Sequence, residues 1–485
     1  MSWCVMLLLC ACVLCCHATP VKPDDESQQT TSQERLTYIG HKVVRMTPTN
    51  YDQVEFLRSL MDQALPLDFW IYPGNPGRPV DIRIPPTVYD SVISVLKQHG
   101  LNPLVLIDDV QKLVDEERLE NLATKAESRH RFIRSAAGNE VDGRVEAEIL
   151  TPYNPVYSLN PSPNDSQQFM LNHYHTNDEI NGMVLELAAS SPFVTASSIG
   201  TSYEGRPLTI VKITTPSNDR SLVKPAIFLE AGMHAREWIG PAVIIYFIAA
   251  LVNNYNVDPN VRAIVDHFDW YLMPVSNPDG YVYTFQWDRM WRKTRSRTEE
   301  QDVSSRRACA GVDPNRNWDT HWGERGASHK PCSIIYAGQE AFSEPEVAAM
   351  ARFLMGRKSR IKLAIDFHSN GQMWLTPYGY TRRYPMDFEA QYMLAVDATD
   401  ELWKVNNTIY IVGSVANSIY RASGDSIDWW YDVAGIKYSY GVELPGKGYH
   451  DFILPPSRIV PVGVETFEAI KYMALEVMRE AVERE

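Results

Sequence analysis

Cysteine is nearly absent from most of this chain. Of seven cysteines, Cys4, Cys10, Cys12, Cys15 and Cys16 crowd into the first twenty residues, and only Cys309 and Cys332 follow. A cysteine-built structural metal site therefore has no ligands to draw on. Positive charge is also short. Against 60 Asp and Glu stand 46 Lys and Arg, a formal net charge of −14 over 485 residues. Phosphate binding needs basic patches, so nucleic acid is excluded as the main partner. Acidity otherwise speaks only to solubility. After Cys16 no segment is apolar enough to span a membrane, and there are no internal repeats or low-complexity tracts.

The one long apolar run, Trp3–Cys16, is too short for a bilayer and ends near the small residue Ala18. Residues 1–19 read as a secretory signal peptide cut between Ala18 and Pro20, although no Lys or Arg precedes the run. A short membrane anchor or a buried N-terminal helix is the alternative. In an exported chain, Cys309 and Cys332 most simply form one disulfide; two free buried thiols are the alternative. Sequons at Asn164 and Asn406 are compatible with glycosylation.

Residues 21–35 are polar and disordered in composition. From Tyr38 the pattern is globular. Strands are expected at Lys42–Met46, Phe69–Tyr72, Val80–Ile84 and Leu104–Ile107, and helices at Tyr51–Gln63, Thr87–Gln98 and Val110–Glu120. This is a small α+β unit. Ala123–Arg134 carries Lys125, Arg129, Arg131 and Arg134 on a polar helix, either a protease target between two domains or a solvated helix face. Residues 135–166 contain four prolines and read as a linker. From Phe169 on, apolar strand-like runs alternate with helical ones. That predicts an α/β unit with a mixed, mostly parallel sheet flanked by helices on both faces. Such sheets bind ligands beyond the carboxyl ends of their strands.

Four clusters carry chemistry. In Gly232-Met233-His234-Ala235-Arg236-Glu237-Trp238, His234 and Glu237 follow the apolar run Ala226–Ala231. Their i, i+3 spacing lets imidazole and carboxylate converge on one ion. Such a pair also occurs on solvated helix faces. His368, in Ile365-Asp366-Phe367-His368-Ser369, ends a second strand-like run and completes a His/Glu/His set with an open fourth position. A lone His there is otherwise a satisfied structural one. Glu443 ends the run Tyr438–Leu444, where it is either a general base for an attacking water or a surface glutamate. The fourth cluster is cationic: Arg289, Arg292, Lys293 and Arg295, then Asn315 and Arg316. Guanidinium groups pair with carboxylates and stabilise oxyanions, so this stretch suits a substrate carboxylate. A solvated basic stretch is the alternative, against which the interleaved tryptophans speak.

In order, the motifs HTNDEI, SYEGRP, HAREW, NPDGY, MWRKTRS, GVDPNRNWD, DFHS, SIDWWYD and GIKYSYGVEL resemble the zinc metallocarboxypeptidases of the pancreatic A/B type. The resemblance covers Phe169 to the C-terminus, and Tyr38–Glu120 is similar to that family's activation segment. It implies a signal peptide at 1–19, an activation domain at 36–122, a cleavable connector at 123–166 and a catalytic domain at 167–485. It implies one zinc ion per chain on His234, Glu237 and His368. Glu443 would activate the water, and Arg292 would stabilise the oxyanion. Asn315, Arg316 and Tyr420 would hold the substrate's C-terminal carboxylate, with Arg236 and Arg289 in neighbouring subsites. Asp313 would orient a zinc-binding His, and Cys309 and Cys332 match the family's disulfide.

The implied activity is that of a secreted precursor, activated by a trypsin-like protease, which removes C-terminal residues from peptides and proteins. The chain is expected to act as a monomer, with no membrane or nucleic acid partner. Asn370 stands where the family often has an aromatic, and one extra residue lies between Trp430 and Gly435. At the base of the side-chain pocket Ile427 implies neutral specificity. Asp425, two residues earlier on a segment read as extended, shares its face and leans the preference toward Lys and Arg. Gly379 and Gly441 would leave room for a long side chain. A zinc amidohydrolase of small acylated amino acids and a non-catalytic secreted binding protein are the competing readings.

Overall fold

A computed structural model describes residues 35–61, 65–136, 171–216, 223–297, 309–446 and 450–483. The expected signal peptide, the linker and the Asn164 sequon lie outside the described residues. The N-terminal unit contains β1 (Lys42–Met46), α1 (Tyr51–Met61), β2 (Asp68–Ile71), β3 (Val80–Ile84), α2 (Tyr89–Gln98), β4 (Leu104–Ile107) and α3 (Val110–Ala136). Its strands pair antiparallel in the order β2-β3-β1-β4. Strand alternation sends Val44, Met46, Phe69, Ile82 and Ile84 to one face, where they meet Leu57 and Leu60 of α1 and Leu96 of α2. The opposite face carries Val43, Trp70 and Ile107, which pack with Val110, Leu113 and Val114 of α3 against Met290, Phe452 and Ile453 of the large unit. Both faces of this small sheet are thus buried. The described part of the connector, up to Ala136, is not a separate piece: α3 runs on through it, because neither Gly nor Pro interrupts it.

The large unit contains α4 (Asn177–Ser190), β5 (Val194–Thr201), β6 (Pro207–Ile213), β7 (Ala226–Ala231), α5 (Ile239–Asn254), α6 (Pro259–His267), β8 (Asp269–Met273) and α7 (Pro278–Gln286). It continues with α8 (Pro345–Met355), β9 (Ile361–Ser369), β10 (Met373–Thr376), α9 (Phe388–Asn406), β11 (Ile411–Ser414), α10 (Val415–Ser418), α11 (Ser426–Asp432), β12 (Tyr438–Leu444) and α12 (Ile459–Glu483). Eight strands form one mixed sheet in the order β11-β10-β12-β9-β7-β8-β6-β5. The central strands β12, β9, β7 and β8 are mutually parallel. β7 is buried along its whole length, as a parallel strand covered on both faces must be. α5, α9 and α12 cover one face of the sheet through Val243, Phe247, Leu402, Phe467 and Ile470. α8 and α11 cover the other through Val347, Leu354, Trp429 and Trp430.

Sequence periodicity missed β5, β10, β11, α7, α10 and α11. β5 (VTASSIGT) is a polar edge strand, and β10 and β11 are only four residues each. α7 begins at a proline and holds Gly280, so it reads as a turn, yet Asn277 caps it by accepting from the Gly280 N–H.

Two buried ion pairs fasten the small unit to the large one. Arg289 donates Nε to Glu117 Oε2 at 2.7 Å and Nη2 to Oε1 at 2.8 Å. Arg236 donates Nη1 to both oxygens of Asp68 at 2.9 Å. Arg236 and Arg289 are 0% and 1% exposed, and Glu117 is 3% exposed, so no water compensates either partner alone. Glu117→Ala, which leaves Arg289 buried without its anion, is expected to cost about 3–5 kcal/mol. Urea unfolding of the full chain measures it; a cost within 0.5 kcal/mol, the ordinary range for a surface substitution, would refute the clamp.

Candidate active site

Three neighbouring parallel strands deliver the site. β7 ends at Ala231 and turns at Gly232, whose φ of +74° no β-branched or bulky residue adopts without strain. The turn places His234 and Glu237 just beyond the strand, with the Glu237 N–H donating to the His234 carbonyl at 3.2 Å. β9 ends with His368 and Ser369, and β12 sets Glu443 directly beside His368 in register. All of these groups lie at the carboxyl edge of one sheet.

One ligand atom from each of His234, Glu237 and His368 lies within 4.8 Å of the others, and all three residues are buried. Each histidine points Nδ1 at Glu237, His234 to Oε1 and His368 to Oε2, both at 3.1 Å. The Nε2 atoms face a second ring of carboxylates: Asp313 Oδ1 at 3.1 Å from His234 and Asp366 Oδ2 at 2.8 Å from His368. Each imidazole thus has one nitrogen turned to the centre and the other held by an acid that fixes its tautomer. The Ser369 N–H holds Glu237 Oε2 at 3.1 Å. Two imidazoles and one carboxylate converging in a buried site suit a four-coordinate zinc ion. Against the penalty of burial, His234 and His368 hold the Glu237 carboxyl well below its usual range.

The cavity wall adds the predicted groups around this centre: Arg292, Asn315, Arg316, Tyr420, Asp425, Ile427 and Glu443 all line it. Burial pushes Glu443 up to about 8; His368 opposes the shift and Glu237 adds to it. Arg292 donates Nη2 to Asp313 Oδ2 at 2.9 Å, so the acid that orients His234 also positions this guanidinium. Asn315 Nδ2 lies 3.1 Å from His368 Nε2, and its Oδ1 accepts from the Ser426 N–H at 2.9 Å. Arg316 Nη2 donates to the Tyr420 hydroxyl at 3.3 Å. Arg236 and Arg289 are held by Asp68 and Glu117 instead of facing the cavity. Cys309 and Cys332 form a disulfide.

Two details of the sequence reading change. Asp425 and Ile427 do not sit on an extended segment. Asp425 is the N-cap of α11, its Oδ1 accepting from the Asp428 N–H at 2.9 Å, and Ile427 lies in the first turn. They reach the same cavity because a helix starts there. Gly379 does not leave room for substrate either: a Cβ on it would stand 2.1 Å from Asp425 Oδ2, so the aspartate occupies that space. Sequence reasoning missed Asp366 as the partner of His368; its i, i+2 strand spacing was the available signal. It also missed Trp70, Ile71 and Tyr72, which wall the cavity from β2 and the residue after it, and their partners Asp68 and Glu117. Nothing local marks those residues.

Asp313→Ala frees His234 Nε2 and Arg292 together. It is expected to weaken zinc binding by about 10–100-fold, measured by competition with a chromophoric chelator. Unchanged affinity would show that Asp313 does not support the metal centre.

The sequence of residues 180–469 matches the zinc carboxypeptidase family, and residues 44–117 match the carboxypeptidase activation peptide. Carboxypeptidase A1 of Bos taurus is 37% identical over 432 residues, covering 89% of this chain and 92% of that protein. Carboxypeptidase B of Astacus astacus is 43% identical over 302 residues, covering 62% of this chain and 96% of that protein. The crystal structure of carboxypeptidase A from Helicoverpa armigera superposes with a TM-score of 0.76 at 29% identity, covering 91% of this chain and 98% of that one. The match spans both units. The chain belongs to the zinc carboxypeptidase family, as an A-type precursor that carries its own activation peptide and hydrolyses C-terminal residues.

Proposed function

We propose that the chain is exported and that a trypsin-like protease cuts its connector within Lys125–Arg134. The limits proposed are 36–122 for the activation domain, 123–166 for the connector and 167–485 for the catalytic domain. The freed enzyme acts as a monomer on peptide and protein C-termini, with a preference for Lys and Arg. Zinc, held by His234, Glu237 and His368, supplies Lewis acidity toward the scissile carbonyl and the attacking water. Glu443, which a cation held by the triad would return to its ionised form, takes the proton of that water and passes it to the leaving amine nitrogen. Arg292 donates to the developing oxyanion from a site where water does not screen it. Asn315, Arg316 and Tyr420 grip the terminal carboxylate, which fixes the register of the scissile bond. Removal of the activation domain takes Trp70 and Tyr72 out of the cavity and releases Arg236 and Arg289 for upstream contacts.

One observation carries the basic preference. Asp425 Oδ2 is buried against the cavity and has no hydrogen-bond partner among the described residues. Burial pushes the Asp425 carboxyl up to about 6, with the Asp428 N–H and Arg316 opposing the shift. A guanidinium or ammonium group entering the pocket would complete this unsatisfied acceptor and return it to the ionised form. Ile427 carries the second reading, neutral specificity, because its side chain also lines the cavity beside Gly441.

Trypsin treatment of the purified full chain is expected to switch on chelator-sensitive release of C-terminal residues from matched blocked dipeptides ending in Arg or Phe. Asp425→Asn keeps an oxygen for the α11 cap and removes the charge. It is expected to lower the Arg-over-Phe ratio of kcat/KM by about 10–100-fold, the scale of one charged hydrogen bond. Unchanged discrimination would assign the pocket to Ile427 alone.

A further inference from the structure

A second carboxylate, away from Asp425, has one oxygen without a partner, next to the cavity-lining Asn370 and Phe452. Asp451 is 1% exposed, and its Oδ2 has no hydrogen-bond partner among the described residues. Its Oδ1 accepts from Asn370 Nδ2 at 2.6 Å. Asn370 lines the cavity together with the metal triad, Arg292 and Glu443. A buried carboxylate with only one satisfied oxygen is costly. The backbone there is also special. Asp451 has φ of +43°, a left-handed conformation that Asp tolerates better than most residues. Gly446 makes room for it: a Cβ at that position would stand 2.3 Å from the Asp451 carbonyl oxygen and 2.8 Å from Asn370 Cβ.

The position of this pair within the site follows from its neighbours. Asn315 ties the proposed carboxylate anchor and the start of α11 to His368. Ser369 ties the other side, Asn370 with Asp451, to Glu237. Phe452 continues that side and carries the Arg236 guanidinium 4.1 Å above its ring. The metal ligands are thus tied to the terminal-residue pocket through Asn315 and to the Asn370–Asp451 pair through Ser369. A peptide held at its C-terminus would place its penultimate side chain on the Asn370 side.

The activation domain already presents a cation here. Arg45 of β1, locked to Asp81 of β3 by bonds of 2.8 and 2.6 Å, interacts electrostatically with Asp451. Burial, and then Asp81, push the Asp451 carboxyl well up, while Arg45 and Arg236 pull it down. Cleavage removes Arg45, Asp81 and Asp68 together, which leaves Asp451 uncovered beside the cleft.

We infer that Asp451, oriented by Asn370, forms a subsite for a basic side chain at the penultimate position of the peptide substrate. The inference rests on the carboxypeptidase reading proposed above. It makes peptides ending in two consecutive basic residues the favoured class, Asp425 taking the last side chain and Asp451 the one before it.

The test uses full chain activated by trypsin, with the trypsin then removed and inhibited because it would itself cut after Lys. Blocked dipeptides with Lys, Ala or Glu at the penultimate position, each followed by Arg or by Phe, are compared by kcat/KM. Lys is expected to exceed Ala by about tenfold in both series, the scale of one partly desolvated ion pair, and Glu is expected to fall below Ala. Asp451→Asn is expected to bring the Lys-over-Ala ratio to about one, and Asn370→Ala to lower it partway in a chain that keeps the aspartate. No Lys preference in the unaltered enzyme overturns the inference, as it would if Arg236 closes on Asp451 once Asp68 has left. A preference that survives Asp451→Asn overturns it too. Loss of Arg-over-Phe discrimination with Lys-over-Ala intact counts against the Asp425 reading alone and leaves the Asp451 subsite standing.

Discussion

Glu237 is the fixed point of the molecule. Its two carboxylate oxygens face His234 Nδ1 and His368 Nδ1, each at 3.1 Å, so one side chain ties the turn after β7 to the end of β9. That meeting is possible only because β7 and β9 run parallel and adjacent, which brings both carboxyl ends to the same edge. β12 lies on the other side of β9 in the same direction and adds Glu443 in register with His368. An antiparallel neighbour would have put Glu443 at the far end of the sheet.

Around this centre the charges are arranged in rings. Asp313 and Asp366 hold the outer nitrogens of the two histidines, and Arg292 holds Asp313 in turn. Each member is buried, so each depends on its neighbour for the interactions that water would otherwise supply. Arg292 is held in place before any substrate arrives, which is the condition for a preorganised oxyanion donor.

The same logic joins the two units. Arg236 and Arg289 are each held, in the intact chain, by a carboxylate of the small unit, Asp68 and Glu117. The apolar face of the small sheet, with Trp70 packed edge-on to Phe452, supplies the contact area, while the ion pairs fix its orientation. Trp70, Ile71 and Tyr72 then stand in the cavity wall as a consequence of that docking. The helix that carries the docked Glu117 is itself continuous to Ala136.

Much of this was legible in the residues alone. HAREW, DFHS and YSYGVEL each end an apolar run, so His234, Glu237, His368 and Glu443 announce both their chemistry and their place at strand ends. The arginines and asparagine of MWRKTRS and GVDPNRNWD pointed to the cavity wall, where Arg292, Asn315 and Arg316 stand. Long apolar segments such as β7 and α5 are clear because burial on every side leaves a run without polar interruption. What stayed hidden depends on contacts between segments far apart in the chain. Short or polar strands such as β5 and β11 gain their identity only from the neighbours they pair with. Asp425 and Ile427 share a cavity through the start of a helix, a geometry their spacing does not encode. The partners of Arg236 and Arg289 lie about 170 residues away, and the Asn370–Asp451 pair spans 81. Local pattern is set by the period of the backbone, which a sequence displays directly. The pairing of buried charges is set by which surfaces exclude water from each other, and only the folded chain decides that.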